Sequence, residues 1–422
     1  MTAAWGDRYL LLLGAAMSLR ERAVVAALRE FDGPVVTVAR ARNSKSAKFF
    51  DEVLIGDFSD PDEVLRLVVE HEKETGRTPA GVVPFFDPGL VPGWTVADHY
   101  GLPFLSRAAV DDSSINKDRM KDRLLAAGVA TPRYIRVADV ASAVAAGERF
   151  GFPCVIKPCA FGGSLGVRLV SGVDEMAEAY AYVRGIIDSN AAVFTVKNRE
   201  IQVEEYCTLV DEVSVEILNH RDQRVVLGVT DKIVGPRPYF AELGHRVPSV
   251  YTDREDVHDI VIRACTAIGL DRGVAHVELR LEPDVAPQII EVGARTAGDG
   301  IIDQVERAYG VSPYALHVRS FLDRIDEPVV VPQPSGLAGI SMLKAPAGRI
   351  AAIEPVSEVD PAVVAYEVTA VAGAESAAVS ANYLNREGYV EVAWPGAHPQ
   401  DIPIDAQTEI ADSLSARLFR MA

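Results

Sequence analysis

The chain has 422 residues, 49% of them apolar, and carries a formal net charge of −18. This length predicts about two to four domains or subdomains, with ample apolar content for buried cores. The acidic charge argues against non-specific binding to nucleic acid or to an anionic membrane, because both need a basic surface.

The apolar run Tyr9–Met17 is too short to span a bilayer and lacks the basic segment of a signal peptide. We interpret it as a buried strand. The four cysteines, at positions 154, 159, 207 and 265, fit no zinc spacing and no disulfide framework. We therefore expect a reducing, cytoplasmic environment and no membrane partner.

Residues 1–107 are predicted to form an N-terminal α/β subdomain, because strands alternate with helices. Ser59-Asp60-Pro61 marks the start of one helix. The alternation indicates a doubly wound parallel sheet. The first turn, Gly14-Ala15-Ala16, is not GxGxxG, which weakens a nicotinamide-enzyme interpretation.

Residues 108–130 are predicted to form a connecting helix, and residues 131–204 a small central subdomain. The central order is strand, helix, strand, glycine loop, strand, helix, strand. In the loop 161–166 (FGGSLG), backbone N–H groups can approach phosphates closely, and Lys157 would add a positive charge. The alternatives are an ordinary glycine-rich hairpin and a surface lysine.

Residues 205–330 are predicted to form the next subdomain. The run Glu212–Glu216 alternates as a strand, with Arg224–Val229 as its predicted partner, and residues 231–249 are predicted to be a loop. Residues 331–422 are strand-rich, end in a helix and show no catalytic cluster. We expect them to complete the same subdomain.

The segment His276–Arg295 contains two strand-like runs around Pro283 and Asp284. A symmetric hairpin pairs Glu278 with Glu291 and places both carboxylates on one face. Such facing charges are unfavourable, and a hard cation such as Mg²⁺ removes the repulsion. The hairpin therefore predicts a metal platform for a nucleotide; the alternative is an exposed hairpin with two solvated glutamates.

Together these motifs resemble the ATP-grasp ligases over roughly residues 1–350, and they occur in the family's order. Within the superfamily the chain is most similar to the bacterial L-amino-acid (dipeptide) ligases of the bacilysin type. Gly293 stands where many ATP-grasp enzymes carry Asn, which puts a third side-chain ligand to metal in doubt. The motifs that carry the resemblance are Lys117 in NKDRMK, Lys157 in VIKP, FGGSLGV, VEEY with EVSVE, His276-x-Glu278, PYFxExGH ending at His245, and IIExxAR ending at Arg295.

The resemblance implies an ATP-grasp fold of class α/β. It has an N-terminal doubly wound parallel-sheet subdomain, a small central lid and a larger C-terminal mixed-sheet subdomain. It also implies ATP, with Mg²⁺ or Mn²⁺ held by Glu278 and Glu291. Which of Glu204 and Glu205 faces adenine stays open, because one extra residue precedes Glu212. The implied nucleotide-binding residues are Lys117, Lys157, Gly162, Gly163, Ser164, Glu204, Glu205, Cys207, Thr208 and Glu212.

For the chemistry, the resemblance implies that Arg295 faces the transferred phosphate or the developing oxyanion. His276 shares the metal face with Glu278, and serves there as a base or supporting residue, or else is a core histidine. The implied substrate-pocket residues are Tyr239, Glu242, His245, Gly298 and Asp299.

The implied reaction is an ADP-forming condensation of a small-molecule carboxylate with an amine through an acyl phosphate, under a lid that excludes water. A homodimer is expected only from the frequency of dimers among soluble proteins. The alternatives are a carboxylase or purine-pathway ligase of similar layout, and an ATP-binding protein without turnover.

Overall fold

The computed structural model describes residues 6–16, 19–42, 47–190, 197–377 and 379–422, which form four sheets. The subdomain ranges expected from the sequence also include residues outside these segments, among them 191–196 of the central unit. None of the described helices combines the length and hydropathy that crossing a bilayer requires.

The N-terminal unit is a four-stranded parallel sheet with helices on both faces. Its elements are β1 (Arg8–Leu13), α1 (Glu21–Glu30), β2 (Val35–Ala39), β3 (Glu52–Ile55), α2 (Pro61–Thr75), β4 (Thr78–Pro84) and α3 (Leu90–Tyr100). The strand order is β3-β2-β1-β4. Leu10 shares a core with Val24 of α1, whereas Leu11 shares one with Val64 of α2. The predicted doubly wound sheet is therefore confirmed.

The central unit is a four-stranded antiparallel sheet covered by two helices. It follows α4 (Arg107–Asp111) and α5 (Lys117–Ala126), and consists of β5 (Tyr134–Val137), α6 (Val140–Phe150), β6 (Cys154–Pro158), β7 (Arg168–Val170), α7 (Val173–Asn190) and β8 (Ile201–Glu205). The strand order is β5-β8-β6-β7. The predicted element order, with the glycine loop between β6 and β7, is confirmed.

The largest sheet has eight strands and is antiparallel in every pair, rather than mixed as expected. Two of its strand pairs are joined by two-residue turns, a connection that antiparallel pairs permit. Its first part consists of β9 (Asp211–His220), β10 (Gln223–Val234), β11 (Glu242–Val247), α8 (Glu255–Ile268), β12 (Arg272–Glu282), β13 (Val285–Gly293), α9 (Ile301–Tyr309) and α10 (Pro313–Phe321). The predicted loop 231–249 is wrong, because residues 231–234 belong to β10 and residues 242–247 to β11.

The C-terminal residues extend this sheet and add a three-stranded one. They form β14 (Gly336–Leu343), β15 (Gly348–Ile353), β16 (Val363–Val368), β17 (Glu375–Ser376), β18 (Gly388–Pro395), α11 (Asp405–Leu418) and β19 (Phe419–Met421). The large sheet has the order β13-β12-β9-β10-β11-β14-β18-β16, and the small one β17-β15-β19. The loop between β17 and β18 consequently connects the small sheet to the large sheet, which also contains the carboxylate hairpin β12–β13.

Candidate active site

A cavity of about 560 Å³ is lined by residues from the parallel, central and large sheets. Three predicted site residues lie elsewhere. Thr208 is exposed, Tyr239 packs against Tyr182 of α7, and His245 is fully buried on β11 outside the lining. The predicted residues that the cavity brings together are Lys117, Lys157, Gly162, Gly163, Ser164, Glu204, Glu205, Cys207, Glu212, Glu242, His276, Glu278, Glu291, Arg295, Gly298 and Asp299.

The hairpin β12–β13 places Glu278 directly opposite Glu291, so the predicted pairing is confirmed. The turn and the strand register that produce this pairing differ from the prediction. The turn between Glu282 and Val285 is tighter than the symmetric loop, and two register shifts in the ladder restore the pairing. Both carboxylates line the cavity.

Lys232 links three carboxylates beside this hairpin. Its buried ammonium group lies 2.5 Å from Glu278 Oε1, 2.8 Å from Glu242 Oε1 and 3.7 Å from Glu212 Oε1. Burial alone would lower the pKa of Lys232, but the three carboxylates raise it well above its usual value. The lysine therefore remains charged and holds the three acidic side chains together.

Lys117 connects the other hairpin carboxylate to the glycine loop. Its Nζ lies 3.0 Å from Glu291 Oε2 and donates to the Phe161 carbonyl at 2.7 Å. The Ser164 hydroxyl donates to the Phe240 carbonyl at 2.6 Å, so the far end of the loop contacts the large subdomain. The start of the loop therefore lies close to Glu291, with the Lys117 ammonium group between them.

Glu204 and Glu205 have different surroundings. Glu204 is buried and lies 2.8 Å from Lys157 Nζ and 3.4 Å from Lys121 Nζ. Burial lowers the pKa of Lys121 to about 8, because Glu204 opposes this effect only in part and the charge of Lys157 adds to it. Glu205 instead accepts two hydrogen bonds from the exposed Arg133. Only Glu204 therefore belongs to a buried charge cluster.

His276 lies between two carboxylates. Its Nδ1 is 2.5 Å from Glu216 Oε1 and its Nε2 is 3.2 Å from Glu278 Oε1. Burial alone would lower the pKa of His276, but Glu216 and Glu278 raise it to about 9. The ring is thus an imidazolium that donates to both and orients Glu278 toward the cavity.

Arg295 is held by a residue of the N-terminal unit. Its Nε donates to Asp87 Oδ2 at 2.8 Å, and the other Asp87 oxygen accepts from the Ser114 hydroxyl at 2.7 Å. Burial alone would raise the pKa of Asp87, but Arg295 and Ser114 hold it below its usual value. The guanidinium is therefore fixed at the cavity wall.

The loop between β17 and β18 supplies the far wall. Arg386 Nη1 lies 2.8 Å from Asp299 Oδ1, and Arg386 Nη2 donates to the Glu242 carbonyl at 2.9 Å. Tyr383 lines the cavity and packs against Gly163 so closely that a Cβ there would lie 2.5 Å from Tyr383 Cδ1. Residues 331–422, in which the sequence shows no catalytic cluster, therefore contribute to the wall of the cavity.

The acidic pair fits a hard divalent cation. Glu278 and Glu291 face one cavity from opposite strands, and each is oriented by a cationic partner. Mg²⁺ typically takes one or two protein carboxylates and completes its shell with phosphate and water oxygens. Lys117 and Lys157 on the same cavity suit those phosphates.

Several residues of the site were not predicted from the sequence, although the positions of some of them could have indicated a role. Arg20 and Asp87 follow the carboxyl ends of β1 and β4, the edge where open α/β sheets bind ligands. Lys232 is the last residue of the continuous buried stretch of β10. Arg386 has no local signal, because only the fold brings it to Asp299.

Residues 150–303 match the family model of the ATP-grasp domain. The solved structure of an L-amino acid ligase from Bacillus licheniformis has a TM-score of 0.79 to this chain, with 20% identity and 99% of each chain covered. The chain has the ATP-grasp fold, and its resemblance to the ATP-grasp superfamily is confirmed.

Two curated sequences are similar over part of the chain. An uncharacterised protein of Sinorhizobium fredii is 31% identical over 206 residues, covering 48% of this chain and 41% of the relative. Alanine–anticapsin ligase of Bacillus subtilis is 25% identical over 217 residues, covering 47% and 45%. The chain thus spans about half the length of the curated relatives it matches.

Proposed function

We propose that this chain is an ATP-dependent, ADP-forming ligase that joins the carboxylate of an amino acid to an amine or a second amino acid. The observation that carries the proposal is the single cavity shared by the facing pair Glu278 and Glu291, the lysines Lys117 and Lys157, and Arg295. The similarity to an L-amino acid ligase and to alanine–anticapsin ligase supports the amino-acid class of substrate.

The first step needs positioning and charge neutralisation rather than a protein nucleophile. A substrate carboxylate oxygen attacks the γ-phosphorus of ATP, and ADP leaves with the electrons of the broken bond. Lys117 and Lys157 bind phosphate oxygens, and Arg295 binds the transferred group. Mg²⁺ held by Glu278 and Glu291 would neutralise the charge that develops on the phosphoryl oxygens.

In the second step, the amine nitrogen attacks the acyl carbon and inorganic phosphate leaves. The nitrogen loses a proton on forming the amide, and the departing phosphate accepts it. Arg295 stabilises the oxyanion of the tetrahedral intermediate. The glycine loop, tied down through Ser164 and contacted by Tyr383, keeps water from the acyl phosphate.

The test is a matrix of amino-acid pairs with Mg·ATP, read by ADP and phosphate release and by mass spectrometry of the products. With an ¹⁸O-labelled carboxylate, the acyl-phosphate route transfers one ¹⁸O to inorganic phosphate. Label in AMP, with pyrophosphate released, would overturn the acyl-phosphate mechanism. Turnover that requires bicarbonate would favour the carboxylase alternative, and ATP binding without turnover the non-catalytic one.

A further inference from the structure

Arg20 is a buried cation that the proposed phosphoryl chemistry does not use. It follows β1 immediately before α1, is 4% exposed and lines the cavity. Its Nη1 donates to the Thr296 hydroxyl at 2.9 Å. Among the residues that the structure describes, Arg20 forms no ion pair with a carboxylate.

Burying an arginine without an anionic partner is unfavourable in free energy. A guanidinium offers five N–H donors in a planar fork that matches a carboxylate, and a buried charge needs a partner. Burial lowers the pKa of Arg20 and Arg295 adds to this effect, whereas Tyr314, Asp87 and Asp299 offset it only in part. The buried guanidinium of Arg20 therefore lacks an anionic partner that a bound ligand would supply.

Arg295 and Arg20 lie beside different glycines of the cavity wall. A Cβ on Gly293, the last residue of the carboxylate hairpin, would lie 3.5 Å from Arg295 Cζ. A Cβ on Gly298 would lie 3.8 Å from Arg20 Nη2, so the guanidinium faces the floor of the predicted substrate pocket.

We propose that Arg20 binds the carboxylate of the amine substrate, which makes that substrate an amino acid rather than a simple amine. The acyl donor needs its own carboxylate beside Arg295 and the metal pair. A second carboxylate therefore requires a second arginine, and Asp299, which lines the same cavity and interacts with the charge of Arg20, is suited to the ammonium group.

Because the assignment rests on the proposed ligase function, the test uses an amine substrate identified in the amino-acid matrix and its carboxamide. The wild-type enzyme is expected to prefer the carboxylate by about 10- to 100-fold in kcat/KM. Arg20→Gln should lose this preference through a higher KM for the amine substrate, with the KM for ATP unchanged. Arg20→Lys should restore part of it.

The matched control is Arg22→Gln, since Arg22 is two residues away, half-exposed and paired with Asp303 and Glu306. It should keep the wild-type preference. An unchanged preference in Arg20→Gln, or a KM defect for the acyl donor instead, would overturn the assignment of Arg20 while leaving the ligase function standing. If Arg20→Gln does not fold, equal kcat/KM values of the wild-type enzyme for the amine substrate and its carboxamide would overturn the assignment as well. Wild-type protein that forms no product with any pair would remove the proposed function itself.

Discussion

Asp87 and Arg295 form a 2.8 Å hydrogen-bonded ion pair although they are 208 positions apart in the chain. Asp87 follows β4 of the parallel sheet, and Arg295 follows the carboxylate hairpin of the large sheet. The pair therefore ties the N-terminal unit to the proposed centre of phosphoryl transfer.

Removing the charge of Asp87 should misplace Arg295. Asp87→Asn is expected to lower kcat by about 10- to 100-fold with little change in the KM for ATP, because partners that orient a reacting group contribute at this level. Steady-state kinetics checks the effect. Asp98→Asn, an exposed substitution on α3, is the control and should match the wild type. Equal rates in both variants would show that Arg295 does not need its partner.

Neutralising one hairpin carboxylate should remove turnover but not the fold. Glu291→Gln keeps a side chain that can still accept from Lys117, so thermal unfolding should stay close to that of the wild type. Product formation should fall by at least about 100-fold, as expected for loss of a group that stabilises the transition state. Asp284→Asn at the exposed hairpin turn is the control. Wild-type turnover by Glu291→Gln would contradict the metal platform.

Lys232 should be a stability residue. Lys232→Met leaves three carboxylates without their shared cation, and loss of one partner from a buried charge cluster typically destabilises a protein by about 3–5 kcal/mol. Denaturant unfolding measures the loss, with Lys73→Met on the exposed side of α2 as the control. Mg²⁺ should raise the Tm of Lys232→Met more than that of the wild type. Equal unfolding free energies of Lys232→Met and the wild type would show that the three carboxylates do not need the charge of Lys232 for a stable fold.

Alanine substitutions at Gly162 and Gly163 of the glycine loop should affect ATP binding to different extents. Gly163 has a φ of +63°, and its Cβ would collide with Tyr383, whereas a Cβ on Gly162 meets nothing within 4 Å. A non-glycine residue in this left-handed region costs roughly 1–2 kcal/mol. Gly163→Ala should therefore raise the KM for ATP by about tenfold and increase phosphate release relative to product. Gly162→Ala should have the smaller effect; the reverse order would contradict the packing of Tyr383 on the loop.

His317 should make folding sensitive to acid. Its Nδ1 accepts from the Val274 N–H at 2.9 Å and its Nε2 donates to the Pro84 carbonyl at 2.8 Å, which requires the neutral ring. Burial lowers its pKa to about 4. Stability from this group is complete above the unfolded pKa of about 6.5 and is lost as the pH falls toward 4, by about 3 kcal/mol.

Unfolding free energies measured between pH 7 and 5 test the prediction for His317. The wild type should lose stability across this interval, whereas His317→Gln, although less stable at pH 7, should show a shallower slope. His99→Gln on α3, where the side chain is exposed, should keep the wild-type slope. Parallel slopes in all three proteins would assign the acid sensitivity to other groups.

Local patterns in the sequence predict the parts of the site that depend on neighbouring residues. The pairing of Glu278 with Glu291 follows from alternation around one turn, and the position of Lys157 before the glycine loop follows from one strand. Arg386 and Asp87 could not be found in this way, because their partners come from distant segments. Lys232 was missed because the loop-forming residues after β10 concealed the end of that strand.

Tyr383 and Arg386 lie on one loop, outside the residues 150–303 that match the ATP-grasp domain model. Changes in this loop are therefore separate from changes in the matched domain. The loop between β17 and β18 touches the pocket wall at Asp299 without contributing to the carboxylate hairpin. Grafting this segment from a relative would therefore change the pocket wall at Asp299 and the packing on Gly163 together, while the facing pair Glu278 and Glu291 stays native. Recombination at this one loop would thus vary two walls of the cavity and keep the carboxylate hairpin.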